Sequence, residues 1–313
     1  MRRARAIGAV LLLVASLASC GLGQGQAASD AETAAGEEID LSAVDADSLP
    51  ADGTASATGE VVKDYMTGTL PTDPYRGVDH RITGYAWDIA VAVCMRESGY
   101  SYPVIPFDWN DPANQQIASY NRVRTPEEAA QYGYRLAPEE MSQDVIDAQE
   151  FIMQQGDDYN HALDGCLEEM QDNELFDTVT SADLAFPGNA TANPAVVEAN
   201  EAWHNCMEPL GIPDLPDEPG TAPSVMARFG LDGVDNLALT DLTTISQDEI
   251  DTAVQEAQCY ESSGYDRLVY DLMWQGLDEY VQGHSADLTA RADLIQQQTT
   301  ALTTYIEDNR GKI

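Results

Sequence analysis

Four cysteines, Cys94, Cys166, Cys206 and Cys259, carry the reactive sulfur of the region of this chain that should fold. Disulfide pairing, metal ligation and thiol redox catalysis are all open to such a set. Metal ligation would join Cys206 with His204 and Cys166 with His161, yet no pair has the Cys-x-x-Cys spacing of zinc sites. The same spacing is needed for a thioredoxin-like redox motif, and Cys-x-x-Cys-His for haem attachment is missing too. Two disulfides are the simplest use of four cysteines in an oxidising compartment. Three connectivities exist, and spacing does not choose among them. Proximity along the chain points to Cys94–Cys166 and Cys206–Cys259. Closing loops of this size is worth about 4 kcal/mol each on the chain-entropy account.

Other chemistry is sparse. The chain lacks a Gly-x-Ser-x-Gly elbow, a His-Glu-x-x-His pair, a phosphate-binding Gly-x-x-x-x-Gly-Lys and a dinucleotide Gly-x-Gly-x-x-Gly. Asp108-Trp109-Asn110-Asp111 gathers two acids and an amide, but without the glycine and final glutamate of a calcium loop. Glu139-Glu140 and Glu168-Glu169 are adjacent, and neighbours on a helix point about 100° apart, so they read as solvated faces. His80, His161, His204 and His284 are scattered. No catalytic residue, cofactor or metal ligand is expected, and the chain reads as a non-enzyme. The alternative is an envelope hydrolase using two distant carboxylates. Between Tyr65 and Tyr134 lie eight of the fourteen tyrosines, with Trp87, Phe107 and Trp109 among prolines. Tyr100, Tyr102, Phe107 and Trp109 form the candidate ligand surface, of a kind that suits sugar rings or peptides.

The elements that must position these groups are helical. Each of Cys94, Cys206 and Cys259 stands five residues before a glycine that a large apolar residue follows: Gly99-Tyr100, Gly211-Ile212 and Gly264-Tyr265. With the glycine just past a helix end, the residue after it should cover the residue five before it, the pairing of a Schellman cap. Tyr100 would cover Met95, Ile212 would cover Met207, and Tyr265 would cover Tyr260. Pro209 removes a helical hydrogen bond, so the second helix should stop early. Ile82, Tyr85, Ile89 and Val93 trace one helical face up to Cys94. Thr125-Pro126-Glu127-Glu128 and Ser246-Gln247-Asp248-Glu249 read as capping boxes, and Asn193-Pro194 opens the helix of Cys206. Helices are expected over 143–155 and 157–171, and a helical hairpin over 266–282 and 285–308, turning at Gly283. Leu288, Ala292, Ile295, Thr299, Leu302 and Ile306 recur in steps of four and three, a face that should pack on the protein's own core. No alternation is long enough to require a sheet. The fold class is therefore mainly α, an irregular helical domain stapled by two disulfides, with a candidate subdivision near 209–223.

Before this domain the chain changes character. Arg2, Arg3 and Arg5 precede the apolar run Ile7–Leu17, whose eleven residues are too few to span a bilayer as a helix and fit a signal peptide. The run ends Leu17-Ala18-Ser19-Cys20, which resembles the lipobox of bacterial lipoproteins. That resemblance implies removal of residues 1–19, a lipid on the Cys20 thiol, and anchoring to the membrane on the extracytoplasmic face, where two or more acyl chains hold stably. The mature chain then carries twelve basic residues against 54 acidic ones. Such a surface repels nucleic acid, which is not expected as a partner. Residues 20–62 contain no aromatic side chain, and from Asp30 to Glu60 there are nine acids and no base, so they read as a disordered acidic linker. Order should begin between Val61 and Arg81, and the helical extracytoplasmic domain is placed at 63–313.

The lipobox, Cys94-Met95-Arg96-Glu97-Ser98-Gly99-Tyr100, Tyr159-x-x-Ala162-Leu163 before Gly165-Cys166, and Trp203 to Gly211 together resemble the uncharacterised lipoproteins of actinobacteria. Thirteen arginines beside only Lys63 and Lys312 agree with a GC-rich genome. The resemblance covers a small share of the chain and lends no catalytic residue. The expectation is a non-enzymatic lipoprotein, a ligand-binding or accessory subunit of an envelope or transport complex, whose partners are the membrane, through Cys20, and an envelope protein or small ligand.

Overall fold

The computed structural model describes residues 36–107, 119–137, 142–188, 190–231 and 245–313. Among these the chain is mainly helical: α1 His80–Glu97, α2 Pro126–Tyr132, α3 Gln143–Met153, α4 Asp157–Gln171, α5 Pro194–Met207, α6 Pro223–Arg228, α7 Gln247–Ser263, α8 Tyr265–Gly283 and α9 Ser285–Asn309. Local chemistry sets most of these boundaries. The Thr125 hydroxyl accepts from the Glu128 amide while the Glu128 carboxylate accepts from the Thr125 amide, a complete capping box with Pro126 at N1. Only half of the second expected box forms. Ser246 accepts from the Glu249 amide, but the Glu249 carboxylate is drawn away to Arg135 and the Tyr134 amide.

The two disulfides are Cys94–Cys166, joining α1 to α4, and Cys206–Cys259, joining α5 to α7. The three glycine-capped ends share a left-handed glycine and differ in detail. At Gly99, φ is 87°, the Tyr100 amide reaches the Met95 carbonyl at 2.9 Å and the Gly99 amide reaches Arg96, a full Schellman pattern. At Gly264 a single turn of the chain suffices, and α8 begins at the next residue. Pro209 does shorten the middle copy: α5 stops at Met207 and a 3-10 turn, Glu208–Leu210, leads to Gly211. A fourth cap of full Schellman form closes α6, where Leu231 bonds back to Met226 around Gly230.

The last three helices carry the rest. α9 lies along α1, with Leu302 and Ile306 buried among Ala86 and Ile89, and Leu288 buried with Tyr75, Leu184 and Val281. The face spaced in fours and threes thus covers the protein's own core. α7 packs on α2 and α5, and α5 packs on α8. The connection 209–223 does not divide the domain, because the Cys206–Cys259 bond and the α5–α7 packing both cross it.

Order begins well before residue 61. Residues 36–62 lie on the body rather than forming a free linker, and the remainder of the expected linker, 20–35, is outside the described residues. Two three-residue strands, β1 Glu38–Asp40 and β2 Phe186–Gly188, pair in parallel, with Ile39 opposite Pro187. Leu41 is fully buried with Val196 and Leu272. Gly276 makes room for it: a methyl group there would meet the Leu41 side chain at 2.6 Å. Asn193, the cap of α5, donates to the Leu41 and Val44 carbonyls at 3.0 Å each. Lys63 is fully buried, paired with Asp271 at 2.6 Å and set over the Tyr270 ring. Low apolar content suggested disorder, but a few apolar anchors and satisfied polar contacts outweigh the ordering cost.

Candidate functional site

Along α1, the buried Ala86, Ile89 and Ala90, with half-buried Val93, face α9 and α4, which leaves His80, Thr83 and Gly84 on another stripe at helical spacing; half-buried Trp87 continues that stripe and also packs against the α1–α4 interior. That stripe is the floor of a cleft of about 630 Å³. One wall is the turn from Asp73 to Asp79, and the other is the segment Thr178–Ser181, with Ser119 at one side. The size is within the range of small-molecule sites.

α9 holds both walls. The Arg291 guanidinium donates to the carbonyls of Tyr75 and Thr180, one from each wall. Gln298 accepts from the Val179 amide at 2.9 Å and donates to the Asp177 carbonyl at 3.3 Å. Below, the Trp87 indole stands edge-on to Phe176 with ring centres 5.1 Å apart, which joins the floor to the segment that leads into the second wall. The cleft is therefore preformed.

Both carboxylates in the cleft are engaged by local structure. Asp79 caps α1, accepting from the Arg81 amide and, with both oxygens, from the Arg81 guanidinium. Burial works to raise its carboxyl, but the Arg81 donors win and hold it below its ordinary value. Asp73 Oδ2 accepts from the Leu70 amide at 2.8 Å, while its Oδ1 is buried without a well-formed hydrogen bond among the described residues. Burial pushes this carboxyl up, against the Leu70 amide and the Ser119 hydroxyl. With Arg76 lining the cleft and Arg81 neutralising Asp79, the formal charge of the cleft is balanced. Five hydroxyl-bearing residues complete the lining, Thr83, Ser119, Thr178, Thr180 and Ser181, of which Thr83 donates to the Asp79 carbonyl at 3.5 Å and Ser119 faces Asp73.

Gly84 stands out on the floor. It is exposed in the interior of an 18-residue helix, and a methyl group added there would meet nothing within 4 Å. Glycine in a helix interior costs about 1 kcal/mol relative to alanine. Nothing among the described residues requires that cost.

A smaller pocket of about 280 Å³ is lined by Tyr65, Arg122, Arg124, Tyr260, Asp266 and Arg267, among others. Asp266, Arg122 and Arg267 within it are already paired. Asp266 accepts from the Tyr65 and Tyr120 hydroxyls at 2.6 Å each and from the Val123 amide at 3.1 Å. Burial and that carboxylate raise both phenols far above the ordinary tyrosine range. Arg122 forks onto Glu128, and Arg267 bridges Asp52 and Asp271. This pocket is a fastening between the early chain and α8.

Of the candidate ligand surface named from the sequence, Tyr100, Tyr102 and Phe107 are not in the lining of the cleft on α1. Tyr100 and Tyr102 are half-buried against the α1–α4 interior, Tyr100 edge-on to Tyr159 at 5.5 Å. Phe107 sits beside Tyr85 and the Arg81 guanidinium. Trp109, with the whole Asp108–Asp111 group, and Glu139-Glu140 lie outside the described residues, as does Cys20. Glu168 and Glu169 are exposed. Cys166 and Cys206 are held in disulfides, so neither thiolate is available to join His161 or His204 on a metal. Sequence reasoning missed Asp73, Thr83, Gly84 and the 178–181 wall. One signal was available: a glycine on the polar stripe of a strongly patterned helix, one turn before Trp87. No family model matches this chain, and no curated protein or solved structure matches it.

Proposed function

We propose that this protein is an extracytoplasmic lipoprotein, anchored in the cell membrane by lipid on Cys20, that binds a small ligand without transforming it. It would serve as the ligand-binding or accessory subunit of an envelope or transport complex. The observation that carries the binding reading is the cleft on α1: its walls are pinned from α9, Asp79 is committed through both oxygens to Arg81, and Asp73 holds the Leu70 amide through one oxygen. A hydrolase of the paired-carboxylate type needs one acid free to protonate and another free to attack or activate water. Asp73 and Asp79 do have their acidities pushed in opposite directions, the pattern of an acid and base pair. Asp79, however, is saturated by Arg81. Among the described residues no helix is long and apolar enough to cross a membrane. The lipid anchor rests on the lipobox-like Leu17-Ala18-Ser19-Cys20.

Two measurements test this reading. Full-length protein expressed in a bacterium with an alkyne fatty-acid label should carry the label and fractionate with membranes, and Cys20→Ala should lose both; a labelled Cys20→Ala protein refutes the anchor. Saturation-transfer NMR of the purified protein against sugars, amino acids, polyamines and short peptides should find a ligand whose signal disappears in Thr83→Tyr, which fills the cleft from its floor. A ligand unaffected by that change, or turnover of any glycan, refutes the binding site or the non-enzymatic assignment respectively.

A further inference from the structure

Resting on the cleft as a ligand site, we infer that its ligand is a neutral sugar ring, laid flat in the notch at Gly84 with one face against the Trp87 indole. Three independent features lead there. The charges of the cleft cancel, since Asp79 is neutralised by Arg81 and Asp73 is set against Arg76, so neither an anion nor a cation gains a lasting electrostatic advantage. An anion is disfavoured further by the formal net charge of −39 on the chain. The lining is dense in hydroxyl-bearing residues, and a hydroxyl donates and accepts alike and so matches the hydroxyls of a sugar in either sense. Finally, the floor pairs one indole with a bare stretch of helix three residues earlier in the same stripe, where Gly84 has open space in place of a side chain. An aromatic face receives the C–H face of a sugar ring, and the missing Cβ lets that ring approach the helix. A peptide would need unpaired backbone donors and acceptors in a row, and the Val179 amide in the wall is already taken by Gln298.

The test uses opposite signs on one residue. Full-length protein in detergent micelles is titrated with maltose, trehalose and cellobiose, and with glutamate, spermidine and trialanine as charged and peptide probes, by saturation-transfer NMR. At least one disaccharide should bind and the three other probes should not. Gly84→Ala should raise the Tm by about 2–4 °C, as expected for a glycine replaced in a helix interior. It should also weaken disaccharide binding by about tenfold or more, because its methyl group enters the notch. Gly84→Ala that is stabilised and binds the sugar unchanged overturns the notch. Binding of glutamate, spermidine or trialanine in the cleft, with no disaccharide bound, overturns the sugar inference while leaving the cleft a ligand site. Silence from all six probes in wild-type protein overturns both.

Discussion

Cys94–Cys166 ties α1 to α4 across an interior made of Ala90, Val91, Met95, Leu163 and Met170, closed at one end by the rings of Tyr100, Tyr159 and Phe151. Cys206–Cys259 ties α5 to α7 beside Trp203, Met207 and Tyr260, but the next turns of α7 bury Glu249 and Glu256. The Glu256 carboxylate accepts from the Tyr134 hydroxyl at 2.7 Å and from the Thr221 hydroxyl at 2.9 Å. Arg124 lies nearby over the Tyr134 ring and donates to the Gly133 and Tyr134 carbonyls. The covalent plan is the same in both regions, whereas the filling is apolar in one and polar in the other. An apolar interior tolerates small sliding. A buried carboxylate has its donors in only one arrangement, so the second region sets the register of α2, α6 and α7 at a cost in desolvation.

The largest expected effect tests what the two regions share. Replacing Cys94 and Cys166 together by serine, or Cys206 and Cys259 together, should each lower stability by about 4 kcal/mol, since loop closure depends weakly on the separations of 72 and 53 residues. Denaturant titration of both double variants checks this; a difference of more than about 2 kcal/mol would show that one staple is masked by residual structure or strain. Next comes the polar filling. Tyr134→Phe removes one donor from buried Glu256 and should cost about 3 kcal/mol, against under ~1.5 kcal/mol for Tyr159→Phe in the apolar region, where the hydroxyl is buried without a partner among the described residues. Equal losses by urea unfolding would erase the contrast.

A third change should stabilise. Asp88, on α1, is pushed up by burial to about 6, with no opposing interaction among the described residues to lower it. A carboxyl whose folded value is raised favours folding fully only below its unfolded value near 3.8, and that contribution is lost as the pH rises through about 6. Asp88→Asn should therefore raise stability at pH 7 by about 2 kcal/mol, with the gap closing by about pH 4. Thermal melts across that range check the sign, and a destabilised variant at pH 7 would place an unrecognised donor on Asp88. The smallest effect concerns the caps: Gly99→Ala, at φ 87°, should cost about 1 kcal/mol.

The helix ends were legible because they are local. Thr125, Asn193 and Ser246, named from the sequence, each satisfy an amide two or three residues away, as do Asp79 and Ser142, which were not named, and the left-handed glycines close helices within one turn. Even the early stop at Pro209 could be read from a single residue. The disulfide pairing was legible only as the nearest-neighbour choice, and the fold agrees with it. Residues 36–62 were misread because their anchors are few and their partners distant: Leu41 against Gly276 and Asp52 against Arg267, with Lys63 against Asp271 just beyond them.

The candidate site belongs to the second kind. Composition and spacing by themselves determined a helical, acidic chain with four paired cysteines, because charge, periodicity and capping act within a few residues of each other. They also singled out Trp87 among the aromatic residues and the apolar face of α1. Only the tertiary structure decided that the Asp73–Asp79 turn and Thr178–Ser181 stand across the polar stripe of α1, since Arg291 and Gln298 of α9 hold them there from far along the chain. A cleft is a property of separation between walls, and no local interaction encodes that distance.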